Sequence, residues 1–159
     1  MSIAEPARTR PLTDDEFAAW RDAQLADYAE SLERSSGISP ESARARSEKE
    51  FFGALPDGLQ TARMHVLAVL DAAGEKAGVL WVGPHPSFDG SGYVYDIVIE
   101  QDHRGAGLGR ATMLAAEEVS KAEGWSKIGL NVFGDNEVAR GLYDSLGYAV
   151  ASTRMIKPL

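Results

Sequence analysis

Arg104-Gly105-Ala106-Gly107-Leu108-Gly109-Arg110 places three glycines within five residues. Before it, Tyr93 to Ile99 reads as a strand; after it, Leu108 to Glu123 reads as a helix that Gly124 ends. A glycine loop between a strand and a helix start turns tightly and lets a ligand come close to the backbone. It also faces the unpaired amides and positive dipole end of the helix. The stretch is therefore an anion cradle, with Arg104 and Arg110 adding charge beside it.

The loop alone leaves several ligands open. A phosphate-binding NTPase needs Lys and then Ser or Thr after its last glycine, and Arg110-Ala111 stands there instead. The dinucleotide fingerprint wants Gly-x-Gly-x-x-Gly on an early parallel strand, whereas this loop is Gly-x-Gly-x-Gly, late in the chain and after a hairpin pattern. A structural tight turn holding nothing is the plain alternative.

Downstream of the loop, Lys127 to Phe133 predicts a strand. Asn136 to Leu146 predicts a helix with Ala139, Leu142, Tyr143 and Leu146 on one face and Gly147 just past its end. Tyr148 to Met155 is expected as a closing strand. Upstream, Thr13-Asp14-Asp15-Glu16 is a capping box that opens a helix with Phe17, Trp20, Leu25, Tyr28 and Leu32 along its stripe. Ser39-Pro40-Glu41 opens a second helix, expected to bury Ala43, Phe51, Phe52 and Leu55 before Pro56-Asp57-Gly58 breaks it. Met64 to Leu70 and Ala77 to Val82 are apolar runs joined by the turn-forming Asp71 to Lys76, an antiparallel hairpin. A loop from Gly83 to Gly92 and a short strand around Thr9 to Leu12 complete the pattern. This order predicts an α/β (mixed α+β) domain with a mixed sheet.

Composition narrows the function. The chain has 159 residues, a net charge of −8, three histidines and no cysteine. Its length suits one compact domain, and the missing cysteines remove thiolate nucleophiles and Cys-based zinc sites. Acidity disfavours nucleic acid and anionic membrane as partners and favours a cationic one. Fifteen acids and nine bases lie in residues 1–92 against nine and seven in 93–159, so most of the excess charge is in front. No apolar run is long enough to span a bilayer, and Pro6, Arg8, Arg10 and Pro11 interrupt any leader pattern. A cytoplasmic location and a monomeric or homodimeric state are expected.

Two motifs in order resemble the GNAT family of N-acetyltransferases. Arg104-x-x-Gly107-x-Gly109, following Asp96-Ile97-Val98-Ile99, is similar to that family's acyl-CoA pyrophosphate loop. Asn136-x-x-Ala139-x-x-Leu142-Tyr143-x-x-Leu146-Gly147-Tyr148 is similar to its second cofactor segment. The resemblance covers Tyr93 to the C-terminus closely and the front more loosely. It implies a GNAT-like acyl-CoA N-acyltransferase fold, with a mixed, mostly antiparallel central sheet flanked by helices. It further implies a single domain, 1–159, in which 13–58 is the helical acceptor side and 93–159 binds acetyl-CoA.

The resemblance also implies an enzyme that moves an acetyl group from acetyl-CoA to a primary amine by direct attack in a ternary complex, without a metal ion. Main-chain groups of Ile97, Val98 and Ile99 would pair with the pantetheine arm, and the Ile99 amide would stabilise the oxyanion. Arg104, Gly105, Ala106, Gly107, Leu108, Gly109 and Arg110 would hold the pyrophosphate. Asn136 would contact the cofactor, and Tyr143 would do so while protonating the departing thiolate. Some peptide-acetylating branches of the family place a glutamate on the fifth strand where this chain has Asn131, which cannot act as a base. Glu100 is the first candidate instead, ahead of Asp96, His103 and His85. Trp81 and Tyr28 are expected on the acceptor side. The alternative is a noncatalytic acyl-CoA-binding or regulatory module of the same fold.

Overall fold

A computed structural model describes residues 5–159; the first four positions of the expected domain lie outside the described residues. The described residues form two compact units, 5–21 with 54–131 and 22–53 with 132–159.

The first unit holds a five-stranded sheet in the order β1-β2-β3-β4-β5. The strands are β1 (Thr9–Pro11), β2 (His65–Leu70), β3 (Lys76–Pro84), β4 (Ser91–Ile99) and β5 (Lys127–Leu130). The first three pairings are antiparallel, and only β4 and β5 run parallel, joined through helix α3 (Leu108–Ala122). The β2–β3 turn is closed by Asp71, whose carboxylate accepts the amides of Ala73 and Glu75, both at 2.9 Å. From Ala77 to Gly83, β3 is buried at every position. It reads as a continuous apolar run because both faces are covered. On one face α3 contributes Met113 and Ala116, fully buried like Leu80; on the other Trp20 lies edge-on to Trp81 at 5.5 Å.

Trp20 comes from the first turns of α1 (Asp14–Ser36). The capping box at its start is formed in both directions. The Glu16 amide donates to the Thr13 hydroxyl at 3.2 Å and the Thr13 amide to the Glu16 carboxylate at 2.9 Å. Arg10 forks onto the same carboxylate at 2.7 and 2.8 Å.

In the second unit, the rest of α1 meets α2 (Pro40–Ala54) through Ala29, Leu32 and Ala43, and the buried Ser47 hydroxyl donates to the Leu25 carbonyl at 2.8 Å. Ser39 caps α2, accepting from the Ser42 amide at 3.2 Å. Phe52 departs from expectation, with 52% of its surface exposed while Phe51 is buried. Ala43, Ser47 and Phe51 recur every four residues along one face, and adjacent helical positions cannot share it. Helix α4 (Glu137–Ser145) begins at Asn136 and stops before Gly147, at φ +91°.

The expected closing strand does not form. Residues after Gly147 adopt no regular secondary structure, and nearly all are exposed. With no face buried, nothing fixes a strand register there.

Candidate active site

In the first unit, β4 parts from β5 halfway along its length. Parallel pairing runs from Ser91 opposite Lys127 to Val94 opposite Leu130 and stops. At that point β4 carries a bulge. Trp81 pairs with Asp96 and Val82 with Val94, so Tyr95 is the extra residue, and a bulge bends and twists its strand. Beyond it, Asp96 to Ile99 pair with β3 alone.

The direction of the unpaired groups follows from alternation. The Glu100 amide donates to the Ala77 carbonyl at 2.9 Å, so Val98 also turns its backbone groups toward β3 while Ile97 and Ile99 turn theirs to the open edge. Gly78 agrees with this, since a Cβ there would collide with the Val98 carbonyl oxygen. On the open edge the Ile99 carbonyl accepts from Arg104 Nε at 2.8 Å.

A short 3-10 turn, Gln101–His103, leads from β4 to the glycine loop. Two side-chain pairs tie this turn to the end of the β2–β3 hairpin: Lys76 Nζ to Glu100 at 2.6 Å, and His103 Nε2 to Asp71 at 3.3 Å. The Asp71 carboxyl is held below its ordinary range chiefly by the Glu75 amide, with Ala73 and His103 adding to it. Gly105 and Gly107 sit at φ +80° and +83°, where a side chain is strained, and a Cβ at either would meet nothing within 4 Å. Their glycine identity is thus a demand of the backbone. Gly107 is also the N-cap of α3, whose first-turn amides open toward the loop.

A row of rings lines the α1 face of this unit. Trp81, 3% exposed, stacks on Tyr95 with centroids 4.6 Å apart. Tyr93 lies edge-on to Tyr95 at 5.0 Å and His85 edge-on to Tyr93 at 4.9 Å. The Tyr95 hydroxyl donates to the Pro84 carbonyl at 2.7 Å, and burial, then the neighbouring Tyr93, push its ionisation above the ordinary range. Trp81 is therefore part of the core, and Tyr93 and Tyr95 are the partly buried rings beside it. Sequence reasoning passed over Tyr95, although its alternation with Tyr93 on one strand was a usable signal.

The other acid–base candidates are engaged. Asp96 accepts from Trp20 Nε1 at 2.8 Å. His85 Nδ1 accepts the amides of Ser87 and Phe88 at 3.0 and 3.2 Å, which occupies its lone pair and places the ring proton on Nε2. Asn131 is the first residue after β5.

Asn136, Tyr143 and Tyr28 belong to the second unit. Asn136 Oδ1 accepts the Ala139 amide at 3.2 Å, a helix cap. Tyr143 is 9% exposed, with its ring 5.9 Å from that of Tyr148. The Tyr28 hydroxyl donates to Glu50 at 2.6 Å, and Arg46 grips the same carboxylate at 2.7 Å. A cavity of about 260 Å³ is lined by Ser31, Arg34, Phe133, Asp135 and Asn136. Among the described residues, no three His, Asp or Glu side chains converge to hold a metal ion, and no helix is long and apolar enough to cross a membrane.

Comparison with known proteins adds to this geometry. Residues 18–148 match the acetyltransferase (GNAT) family. The uncharacterized N-acetyltransferase YycN of Bacillus subtilis is 27% identical over 150 residues, covering 94% of this chain and 96% of its own. Its crystal structure superposes with a TM-score of 0.86 over 96% of this chain and 98% of that one. A putative acetyltransferase from Pyrococcus furiosus superposes at 0.68 with 27% identity, covering 96% of this chain and all of its own. A mycothiol acetyltransferase of Paenarthrobacter aurescens is 30% identical over 136 residues, which span 82% of this chain and 38% of that protein.

Proposed function

This chain belongs to the GNAT family of acetyltransferases, and we propose that it moves an acetyl group from acetyl-CoA to a primary amine within a ternary complex. The observation that carries this reading is the open edge of β4, where the backbone groups of Ile97 and the amide of Ile99 face away from β3 with no strand beside them, immediately before a glycine loop and a helix start. An extended pantetheine arm pairs there as an added strand does, and the diphosphate rests on the amides of Gly105 to Arg110.

Chemistry then proceeds in one transfer. Glu100, directly or through water, takes a proton from the ammonium of the acceptor; the freed amine attacks the thioester carbonyl and a C–N bond forms. The oxyanion is held by the Ile99 amide. The nitrogen loses its second proton to solvent as the intermediate collapses and the C–S bond breaks, and Tyr143 gives its proton to the thiolate and regains one from solvent. Asn136 contacts the cofactor. On the acceptor side, the aromatic row backed by Trp81 in the first unit receives the amine, Tyr28 of the second unit is assigned to the acceptor side from the sequence alone, and the acidity of residues 1–92 favours cationic acceptors. The reaction needs no metal ion, and the protein acts in the cytoplasm as a monomer or homodimer.

One experiment tests this directly: thiol release from acetyl-CoA measured against polyamines, aminoglycosides, lysine peptides and peptide N-termini. Turnover well above spontaneous hydrolysis with at least one class is expected. The second reading, a noncatalytic acyl-CoA-binding module, draws on Asn131 and on the capture of Glu100 by Lys76. It predicts saturable acetyl-CoA binding with no transfer to any amine.

A further inference from the structure

The side chain that opens the glycine loop reaches backward. Arg104 is the first residue after the Gln101–His103 turn, and its Nε donates to the carbonyl of Ile99, five residues earlier, at 2.8 Å. That carbonyl is the outermost backbone acceptor on the open edge of β4. On the other side of the same peptide unit, the Glu100 amide is bound to the Ala77 carbonyl at 2.9 Å. The Ile99–Glu100 peptide is thus held from both sides, by β3 through its N–H and by Arg104 through its C=O. Among the described residues, no strand on the open edge supplies the second hold, because β5 has already stopped at Leu130.

We infer that Arg104 is a positioning residue. It fixes the peptide plane after Ile99. The Ile99 amide lies in the plane before it, whose Val98 carbonyl is turned toward β3. The two planes that meet at the Ile99 Cα are thus both held, and the amide keeps its direction toward the reacting carbonyl; the charge Arg104 presents beside the loop is additional. This rests on the transfer reaction proposed above. A splayed strand end with one free edge is where backbone direction is least determined by its own sheet. An oxyanion donor must be aimed where the charge develops, and a misplacement of about 1 Å can cost about 100-fold in rate.

The two roles of Arg104 separate by chemistry. S-acetylpantetheine carries the same thioester and arm as acetyl-CoA but no diphosphate, so a charge effect on the diphosphate vanishes with it while a positioning effect persists. The substitutions separate as well. In Arg104→Gln an uncharged N–H donor stands the same three carbons from Cα as Arg Nε, whereas Arg104→Met has a similar length and no donor.

With an acceptor identified by the amine panel, Arg104→Met is expected to lower kcat about tenfold with both donors, and Arg104→Gln to recover kcat to within about threefold of wild type while raising KM for acetyl-CoA alone. Losses confined to KM for acetyl-CoA, with all three proteins equal on S-acetylpantetheine, would overturn the inference and leave Arg104 a diphosphate contact. A readout independent of turnover is the carbonyl carbon resonance of Ile99 in the free protein. It should shift in Arg104→Met and stay near its wild-type position in Arg104→Gln; an unchanged resonance in both removes the link to Ile99. If the wild type transfers to no amine, the proposed reaction fails, and this resonance still decides whether Arg104 holds Ile99.

Discussion

Val94 and Leu130 form the last rung between β4 and β5, and directly after Val94 the bulged Tyr95 carries β4 away from its parallel neighbour. Everything proposed for the donor side follows from that divergence. It converts an interior strand into one with a free edge over Asp96 to Ile99, and it ends where the chain enters the glycine loop.

The glycine requirement of the loop is measurable. Gly107 holds φ +83° in open surroundings, so Gly107→Ala adds backbone strain of about 1–2 kcal/mol without a collision. If the loop must keep this shape to hold the diphosphate, acetyl-CoA affinity measured by calorimetry falls about tenfold. Unchanged affinity would show that the cofactor does not depend on the loop's conformation.

Tyr143→Phe removes a hydroxyl and little else. As the acid for the leaving thiolate, Tyr143 should cost about 100-fold in kcat when lost, with the acetyl-CoA dissociation constant nearly unmoved. Equal losses in affinity and turnover would reassign it to packing, a role its 9% exposure also suits.

Glu100 is tied to Lys76 at 2.6 Å, so its two roles need separate variants. Glu100→Gln should lower kcat by about 100-fold, whereas Lys76→Met, which breaks only the tie, should change kcat by less than about threefold. Equal effects of the two substitutions would mean that the ion pair matters and the base lies elsewhere.

Acid stability offers a test of the helix start. The Glu16 carboxyl is pulled from 4.5 down to about 2, first by its hydrogen bond from Arg10 and then by the Thr13 amide. A depressed folded value means that its stabilisation is fully present above the unfolded value and is lost as pH falls toward the folded one. Denaturant midpoints of wild type and Glu16→Gln should therefore differ by a constant amount above about pH 4.5 and converge toward about pH 2. A gap independent of pH would show that the carboxylate charge contributes nothing.

What was legible in the sequence was local. The capping box at Thr13 and Glu16, the Ser39 cap, the Asp71 turn and the glycines at 105 and 107 all act within a few residues of themselves, and each formed as its chemistry required. The two segments that resemble the family's motifs were legible for the same reason, each being a short run of neighbouring residues. What depended on a distant partner was not. The bulge at Tyr95 exists only in register with Trp81 and Val82, so the strand's own pattern did not show it, although the family resemblance implied free main-chain groups at Ile97 and Ile99. Trp81 was expected on the acceptor side, and its cover by Trp20 was not legible because Trp20 lies 61 positions away in the chain. The closing strand from Tyr148 failed because an alternating pattern predicts a strand only where one of its faces finds something to cover it.

The most direct test of the account is amide hydrogen exchange at Ile97 and Ile99, read by NMR without and with saturating acetyl-CoA. If the pantetheine arm adds to the open edge of β4, both amides should slow by at least about tenfold on binding, while Val98, already turned toward β3, changes little. Saturable acetyl-CoA binding that leaves Ile97 and Ile99 exchanging at their free rates would contradict it.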